Sequence, residues 1–186
     1  MTTRIARRVS VVALTLTASL LMSHASSSAD SDRQLQFGGT CALHPDDADA
    51  TVQALRFHCS VKQQMAIYRQ APSGPAPDGK TRGWAIPAPQ AYLAPYFWKG
   101  KTFDTNGWKG GDVTNRLTPW SVEGFTGKVS LEASVVDGYA TWLIDYTETL
   151  PVIYDEVREV TPGVYLGLAI RNTEPAILEL TFVLQE

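Results

Sequence analysis

The sequence predicts a mainly β domain: an antiparallel meander that closes as a β-barrel, with one N-terminal α-helix packed against it. From Lys101 onward, alternating apolar and polar segments recur about every ten to twelve residues. Turn dipeptides such as Asp137-Gly138 and Pro162-Gly163 separate these segments. Before them, one segment repeats apolar residues at spacings of three and four, which is the period of a helix face.

Residues 1–29 are predicted to be a secretory signal peptide, outside the folded domain. Three arginines precede an apolar run over residues 9–22, and small residues ending at Ala25 and Ala29 supply cleavage sites. The run is short for a membrane span, although a retained anchor is the alternative. We therefore expect a secreted, extracellular protein with no membrane association after signal cleavage.

After the signal, the predicted organisation is an N-terminal helix and Pro/Gly-rich linker over residues 30–89, then a β-barrel over 90–186. Residues 30–186 are expected to fold as a single unit. The helix is predicted from about Asp47 to Arg69, because Asp47 suits an N-cap. Residues 71–89 contain five prolines, which predicts a linker or a loop crossing one end of the domain.

Charge and cysteine content restrict the partners and the chemistry. The net charge of −3 becomes 13 − 19 = −6 when the three signal arginines are removed, which argues against nucleic acid as a partner. Cys41 and Cys59 are the two cysteines, and export favours a disulfide between them over two free thiols. His44 and His58 lack a metal-ligand spacing, so we predict no metal and no other cofactor.

The strands of the barrel are predicted from the alternation that follows an aromatic segment. That segment contains Tyr92, Tyr96, Phe97 and Trp98, which could line an apolar pocket or fill the core. The predicted strands cover residues 101–105, 112–117, 129–135, 140–146, 152–160, 164–170 and 178–184.

The strand over residues 152–160 does not fit a simple barrel wall, because ionisable residues occur on both of its faces. One face carries two carboxylates, and the other carries Tyr154, Glu156 and Arg158. An isolated carboxylate is costly to bury, so whichever face is inside has to pair its charges or border a wet cavity. The alternative is an exposed ladder of ion pairs, which contributes little energetically.

Candidate site residues come from this strand and its neighbours. Carboxylate and phenol groups can move protons without a cofactor when burial tunes them. The predicted catalytic residues are Tyr154, Asp155, Glu156 and Arg158. The predicted ligand-binding residues are Trp98, Arg116, Trp142, Asp145, Tyr146 and Tyr165. Arg116 and Arg171 are also predicted as partners for a buried carboxylate.

From Trp98 to Arg171 the chain resembles a family of small uncharacterised bacterial proteins. The resemblance rests on a WxGKxF motif at the start of this region and on DExREV and PGxYLG motifs near its end. The predicted architecture is also similar to that of lipocalin-like (calycin) barrels, which hold apolar small molecules. No activity transfers residue by residue, because the chain lacks the lipocalin Gly-x-Trp signature and has an N-terminal helix.

Three functions remain open from the sequence, and the oligomeric state is not predicted. The first is a secreted binding protein that holds a small, partly apolar molecule in the barrel. The second is a cofactor-independent isomerase, cyclase or lyase that uses carboxylate and tyrosine acid–base chemistry. The third is an envelope or interaction protein with a filled core.

Overall fold

Long antiparallel strands make up most of the protein. The computed structural model describes residues 34–86, 97–117 and 122–186, so the predicted signal peptide lies outside the described residues. In chain order the elements are β1 (Leu35–Gln36), β2 (Ala42–Leu43), α1 (Ala48–Gln53), a π-helical turn (Ala54–His58), α2 (Val61–Gln70), β3 (Gly79–Lys80), β4 (Arg82–Ile86), β5 (Trp98–Thr105), β6 (Gly111–Leu117), β7 (Val122–Ala133), β8 (Ala140–Asp145), β9 (Ile153–Thr161), β10 (Val164–Arg171) and β11 (Ile177–Gln185). Every helix in these ranges falls short of the length and apolarity that crossing a membrane requires.

The sheet is a meander whose two edges are joined by one short segment. Strands β5 to β11 each pair with their chain neighbours, β3 pairs with β5, and β4 pairs with β11. Only Thr81 separates β3 from β4, so this segment bridges the first and last strands and nearly closes a nine-stranded barrel. The predicted mainly β architecture, an antiparallel meander closing as a barrel, is confirmed.

Strands β3 and β4 lie inside residues 71–89, for which the sequence predicts a linker or loop. The prolines of this segment cluster at its two ends, whereas residues 78–86 contain none. A proline removes only its own backbone donor, so the proline-free part is free to pair in a sheet. This corrects the secondary structure predicted for the segment, because these residues belong to the barrel wall.

The single helix predicted from Asp47 to Arg69 is two short helices with a π-helical turn between them. Cys59 has an extended backbone that ends the first part. Ser60 then starts α2 with a capping box, in which its hydroxyl accepts from the Gln63 amide and the Gln63 side chain accepts from the Ser60 amide. The apolar spacing continues across this break, which is why the sequence predicts one helix.

The predicted disulfide between Cys41 and Cys59 is present. It joins the end of the π-helical turn to the residue that precedes β2. Closing a loop with a sequence separation of 18 residues stabilises the fold by about 3 kcal/mol in the chain-entropy model. The break between the two helices is thereby fixed against the leading segment of the chain.

Alternation along the strands divides the apolar side chains between two cores. Along β10, Tyr165 and Ala169 face the barrel interior, whereas Leu166, Leu168 and Ile170 face outward. The interior core also contains Phe103, Val113, Val129, Trp142, Ile144, Val157, Phe182 and Leu184. The outer core packs the helices against the outer face of β10 and β11, so the wall is buried on both sides there.

The seam of the barrel depends on two facing glycines. A Cβ atom at Gly83 would lie 2.6 Å from the Cα of Gly100, and one at Gly100 would lie 2.2 Å from the Thr81 carbonyl oxygen. Gly100 also has a φ of +118°, which favours glycine. Across this seam the Thr81 amide donates to the Lys101 carbonyl at 2.9 Å. The close approach therefore fixes Lys101 beside the closing segment.

We expect Gly100→Ala to destabilise the protein by about 3 kcal/mol, because the new Cβ meets backbone and the φ angle is strained. Gly79→Ala is the matched control: its φ is +66° but nothing lies within 4 Å of the new Cβ, so its cost should be about 1 kcal/mol. Urea denaturation followed by tryptophan fluorescence measures both losses. Equal losses would show that the close approach at the seam does not matter.

Candidate functional site

Strand β9 carries ionisable side chains on both faces, and both faces are buried. Asp155 and Val157 point into the barrel. Glu156 and Arg158 point to the outer face, where both contact Tyr68 of α2. Asp155, Glu156 and Arg158 are 4%, 1% and 0% exposed. The sequence left open an exposed ladder of ion pairs on this strand; the helical layer instead covers the outer side at Glu156 and Arg158.

Inside the barrel, Lys101 is the centre of a polar network. Its Nζ donates to Asp155 Oδ2 and to Asn115 Oδ1, each at 2.8 Å, and to the Tyr146 hydroxyl at 2.5 Å. These bonds use all three ammonium protons. The Tyr146 hydroxyl donates in turn to Asp155 Oδ2 at 2.9 Å. We call these four residues, each at most 9% exposed, the interior cluster.

Aromatic rings surround the interior cluster, whose members come from β5, β6, β9 and the residue after β8. The rings of Trp98, Tyr146 and Phe182 have their centroids 5.4, 5.1 and 5.2 Å from Lys101 Nζ. These distances are within the range of a cation–π contact. The Trp98 indole also donates to Asn115 Oδ1 at 3.0 Å. The ammonium group is therefore held in a mostly apolar, aromatic environment.

The protonation of Tyr146 and the second carboxylate oxygen of Asp155 determine which hydrogen bonds the interior cluster can still form. Burial raises the pKa of the Tyr146 hydroxyl well above its ordinary value, and the Asp155 charge adds to the shift. Tyr146 is therefore a protonated phenol at neutral pH. Asp155 Oδ2 accepts two bonds, whereas Oδ1 has no partner among residues 34–86, 97–117 and 122–186. That oxygen can accept one more hydrogen bond.

On the outer face, Arg158 is enclosed and uses every guanidinium proton. Its terminal nitrogens form a bidentate pair with Asp137 at 2.7 and 2.8 Å. Its remaining donors reach the backbone carbonyls of Tyr68, Tyr139 and Ala140. The hydrogen bond from Arg158 holds the pKa of Asp137 below its ordinary value. This arrangement ties α2 and the β7–β8 turn to β9 and leaves no guanidinium proton for a substrate.

Glu156 is fixed in the same outer layer. Its carboxylate accepts from the Tyr68 hydroxyl at 2.9 Å, from the Ser134 hydroxyl at 2.5 Å and from the Val135 amide at 2.9 Å. Burial, with a further contribution from the Glu156 charge, raises the pKa of the Tyr68 hydroxyl. The same two causes raise the pKa of Tyr154. The Glu156 carboxyl group is therefore enclosed between the barrel wall and α2.

The other predicted ligand-binding residues are dispersed over the barrel. Trp142 faces the interior and donates to a backbone carbonyl at 3.0 Å. Tyr165 also faces the interior, but its hydroxyl contacts Glu186 at 3.4 Å. Arg116 binds backbone carbonyls at the seam, and Asp145 is exposed at the end of β8. These four residues do not meet at one place.

The carboxylate of Asp155 pairs with Lys101, and not with the predicted partners Arg116 and Arg171. Arg171 pairs instead with Glu179 on the surface, at 2.5 Å. The sequence contains a signal for Lys101, because it lies two residues before Phe103 on the same strand and therefore shares its buried face. Asn115 carries the same signal, because it lies two residues after Val113 on β6 and therefore shares its buried face. Of the predicted aromatic segment, Phe97 is exposed, and Tyr92 and Tyr96 lie outside the described residues.

Comparisons with known proteins show the fold alone. No protein-family model matches the chain, and no curated protein sequence matches it. Among solved structures, the chain is similar to a protein from Thermomonospora curvata, with 19% identity and a TM-score of 0.50. The match covers 69% of this chain and 88% of that chain. The class defined here is a nearly closed antiparallel β-barrel with a buried polar cluster.

Lys101→Met should destabilise the protein by about 3 to 5 kcal/mol, because it leaves the Asp155 carboxylate buried without its counter-charge. Adding Asp155→Asn should restore part of that loss, because the double variant buries no charge at this position. Chemical denaturation of the two single variants and the double variant measures this coupling. A double variant that is less stable than Lys101→Met would contradict the pairing.

Asp137→Asn should cost about 3 kcal/mol at neutral pH, because the Arg158 guanidinium stays buried without its carboxylate. The folded pKa of Asp137 is lowered, so its contribution is present above the ordinary carboxyl pKa and is lost as pH falls through the folded value. The stability difference between wild type and variant should therefore shrink below about pH 4.

Asp112→Asn provides the control for this pair, since it breaks an exposed ion pair with Lys128. Its cost should be much smaller than that of Asp137→Asn, because solvent screens an exposed pair. Guanidinium denaturation at several pH values measures both variants. A loss for Asp137→Asn that is no larger than the control, or that does not change with pH, would rule out the buried pair as the cause.

Proposed function

We propose that this protein is an exported barrel that binds a small, partly apolar molecule in its interior, oriented by Tyr146 and Asp155. The observation that carries the proposal is the interior cluster. A buried ion pair is weak evidence for stability, because well-packed apolar residues of similar volume often do as well or better. Ligand recognition gives a reason for charged groups at a place that apolar side chains could fill.

The groups around the interior cluster support a particular class of ligand. Asp155 Oδ1 has no hydrogen-bond partner among the described residues, so the molecule would carry a hydroxyl or N–H group that donates to it. Trp98 and Phe182 make an edge-to-face contact with their centroids 5.5 Å apart, which offers apolar surface beside the Lys101 ammonium that binds Asp155. A few oriented polar groups within a mostly apolar lining is the usual composition of a small-molecule site.

An exported location is supported by the Cys41–Cys59 disulfide, because such bonds persist in oxidising compartments. The predicted signal peptide agrees with it. The architectural similarity to lipocalin-like barrels favours the same general role, since those barrels enclose small apolar molecules. Taken together, these features favour capture of a molecule outside the cytoplasm.

A second candidate is a cofactor-independent isomerase, cyclase or lyase that uses the same interior. One contact favours it: the Tyr146 hydroxyl bonds both to Lys101 and to Asp155, which places a phenolic proton beside a carboxylate base. Asp155 would remove a proton from the substrate while Tyr146 donates one. Glu156 and Arg158, which the sequence predicts as catalytic, lie on the other side of the wall and take no part in this proposal.

Native mass spectrometry of protein purified from its producing cells tests the binding function. Wild type should carry a non-covalent small molecule, and Tyr146→Phe should lose it or retain less than about a tenth, because a buried hydrogen bond to the site is removed. Tyr165→Phe is the matched control, since this tyrosine faces the same interior but its hydroxyl bonds to Glu186, at 3.4 Å, and not to a member of the interior cluster. It should retain the molecule.

Wild-type protein that carries no small molecule from any producing cell, or equal retention in Tyr146→Phe and Tyr165→Phe, would contradict the proposal. The extracted molecule also separates the two candidate functions. The molecule is incubated with a trace of protein in deuterated water. A molecule that is only bound is recovered without chemical change or deuterium. A substrate is converted or takes up deuterium, because acid–base catalysis exchanges its proton with the solvent.

A further inference from the structure

A groove of about 380 Å³ lies on the outer wall of the barrel and is separate from the interior cluster. Its floor consists of Leu143 and Asp145 on β8 with Tyr154 and Glu156 on β9. In the register of the sheet, Leu143 lies opposite Glu156 and Asp145 lies opposite Tyr154. The volume is within the range of about 300 to 1,000 Å³ that small-molecule sites occupy.

The groove exists because the helical layer covers only part of the wall. The outer core covers β10 and β11 and reaches Tyr154 and Val136 at its border. Beyond this border the outer face of β8 is half-buried at Leu143 and exposed at Asp145, and Val135 and Glu132 line the far side of the groove. The floor is therefore partly apolar, with a buried carboxylate at its edge.

The charge of the groove has one sign. Its described lining contains the carboxylates of Glu132, Asp145 and Glu156, and no lysine or arginine. Lys128 is the register partner of Asp145, but its ammonium is paired with Asp112 outside the groove. The lining is thus complementary to a cation.

Within the described part of the chain, the buried carboxylate of Glu156 forms no salt bridge with a lysine or arginine. Arg158 is the nearest buried cation on this face, and both of its terminal nitrogens already pair with Asp137. Glu156 therefore shares this face with a guanidinium whose terminal nitrogens are both engaged by another carboxylate. Glu156 accepts three hydrogen bonds from neutral donors, and a carboxylate has room for about four.

We propose that this groove binds an organic amine with an apolar body. The ammonium group lies against the exposed carboxylate of Asp145, with the charges of Glu132 and Glu156 nearby in the lining, and the apolar body lies on Leu143, Tyr154 and Val135. The ring of Tyr154 offers the cation a further favourable surface. The proposal is independent of the interior site, because Asp155 lies between Tyr154 and Glu156 on the opposite face of β9.

Amide chemical-shift mapping by NMR tests the groove with three matched probes: 4-phenylbutylammonium, 4-phenylbutanol and 4-phenylbutyrate. The ammonium probe should shift the amides of residues 132–135, 143–145 and 153–156 and bind most tightly. The alcohol should bind more weakly, and the carboxylate should not bind. Raising the salt concentration should weaken only the ammonium probe, because ions screen exposed charge pairs.

The double variant Glu132→Gln/Asp145→Asn should weaken binding of the ammonium probe about tenfold, because it removes the carboxylate that contacts the ammonium and the other exposed charge of the lining. Its affinity for the alcohol should not change. Asp104→Asn is the control, since it removes an exposed carboxylate of β5 that does not line the groove. Equal binding of all three probes, shifts outside the groove, or an unchanged affinity in the double variant would overturn the proposal.

Discussion

The burial of β9 on both of its faces is the constraint on which the rest of the structure depends. Asp155, Glu156 and Arg158 are consecutive or alternate residues of one strand, yet each is removed from water. A buried charge has to find a partner or hydrogen bonds, and the two faces find theirs in different parts of the chain. On the interior face, Asp155 pairs with Lys101 from the opposite wall of the barrel. On the outer face, Arg158 pairs with Asp137 from a turn.

Two features of the chain make this double burial possible. The disulfide and the capping box at Ser60 hold the helical segment as two short pieces, and Tyr68 of the second piece contacts both Glu156 and Arg158. On the other side, the glycines at the seam let the closing segment approach the backbone of β5, which carries Lys101 inward. The helical layer and the seam thus lie far apart in sequence, yet they supply the partners of neighbouring residues of β9.

The sequence predicts the barrel well because strand alternation and turn dipeptides are local signals, and the meander pairs chain neighbours. The sequence does not determine which side chains of β9 face the interior. Alternation predicts that adjacent side chains point to opposite faces, but it does not predict that a distant helix covers the outer face. The same limit explains why Tyr68 and Asp137 were missed as partners. Lys101 was visible as a lysine in phase with Phe103, whereas its contact with Asp155 depends on barrel closure across four strands.

The alternation of β9 also separates the functional questions that the fold raises. Substitution of Asp155 acts on the interior, and substitution of Tyr154 or Glu156 acts on the groove outside. Arg158 differs from these residues because its donors are all occupied by Asp137 and backbone carbonyls, so its loss would act on the fold. A charged residue in this barrel therefore points to function only where one of its polar atoms is left open, as Oδ1 of Asp155 is among the described residues.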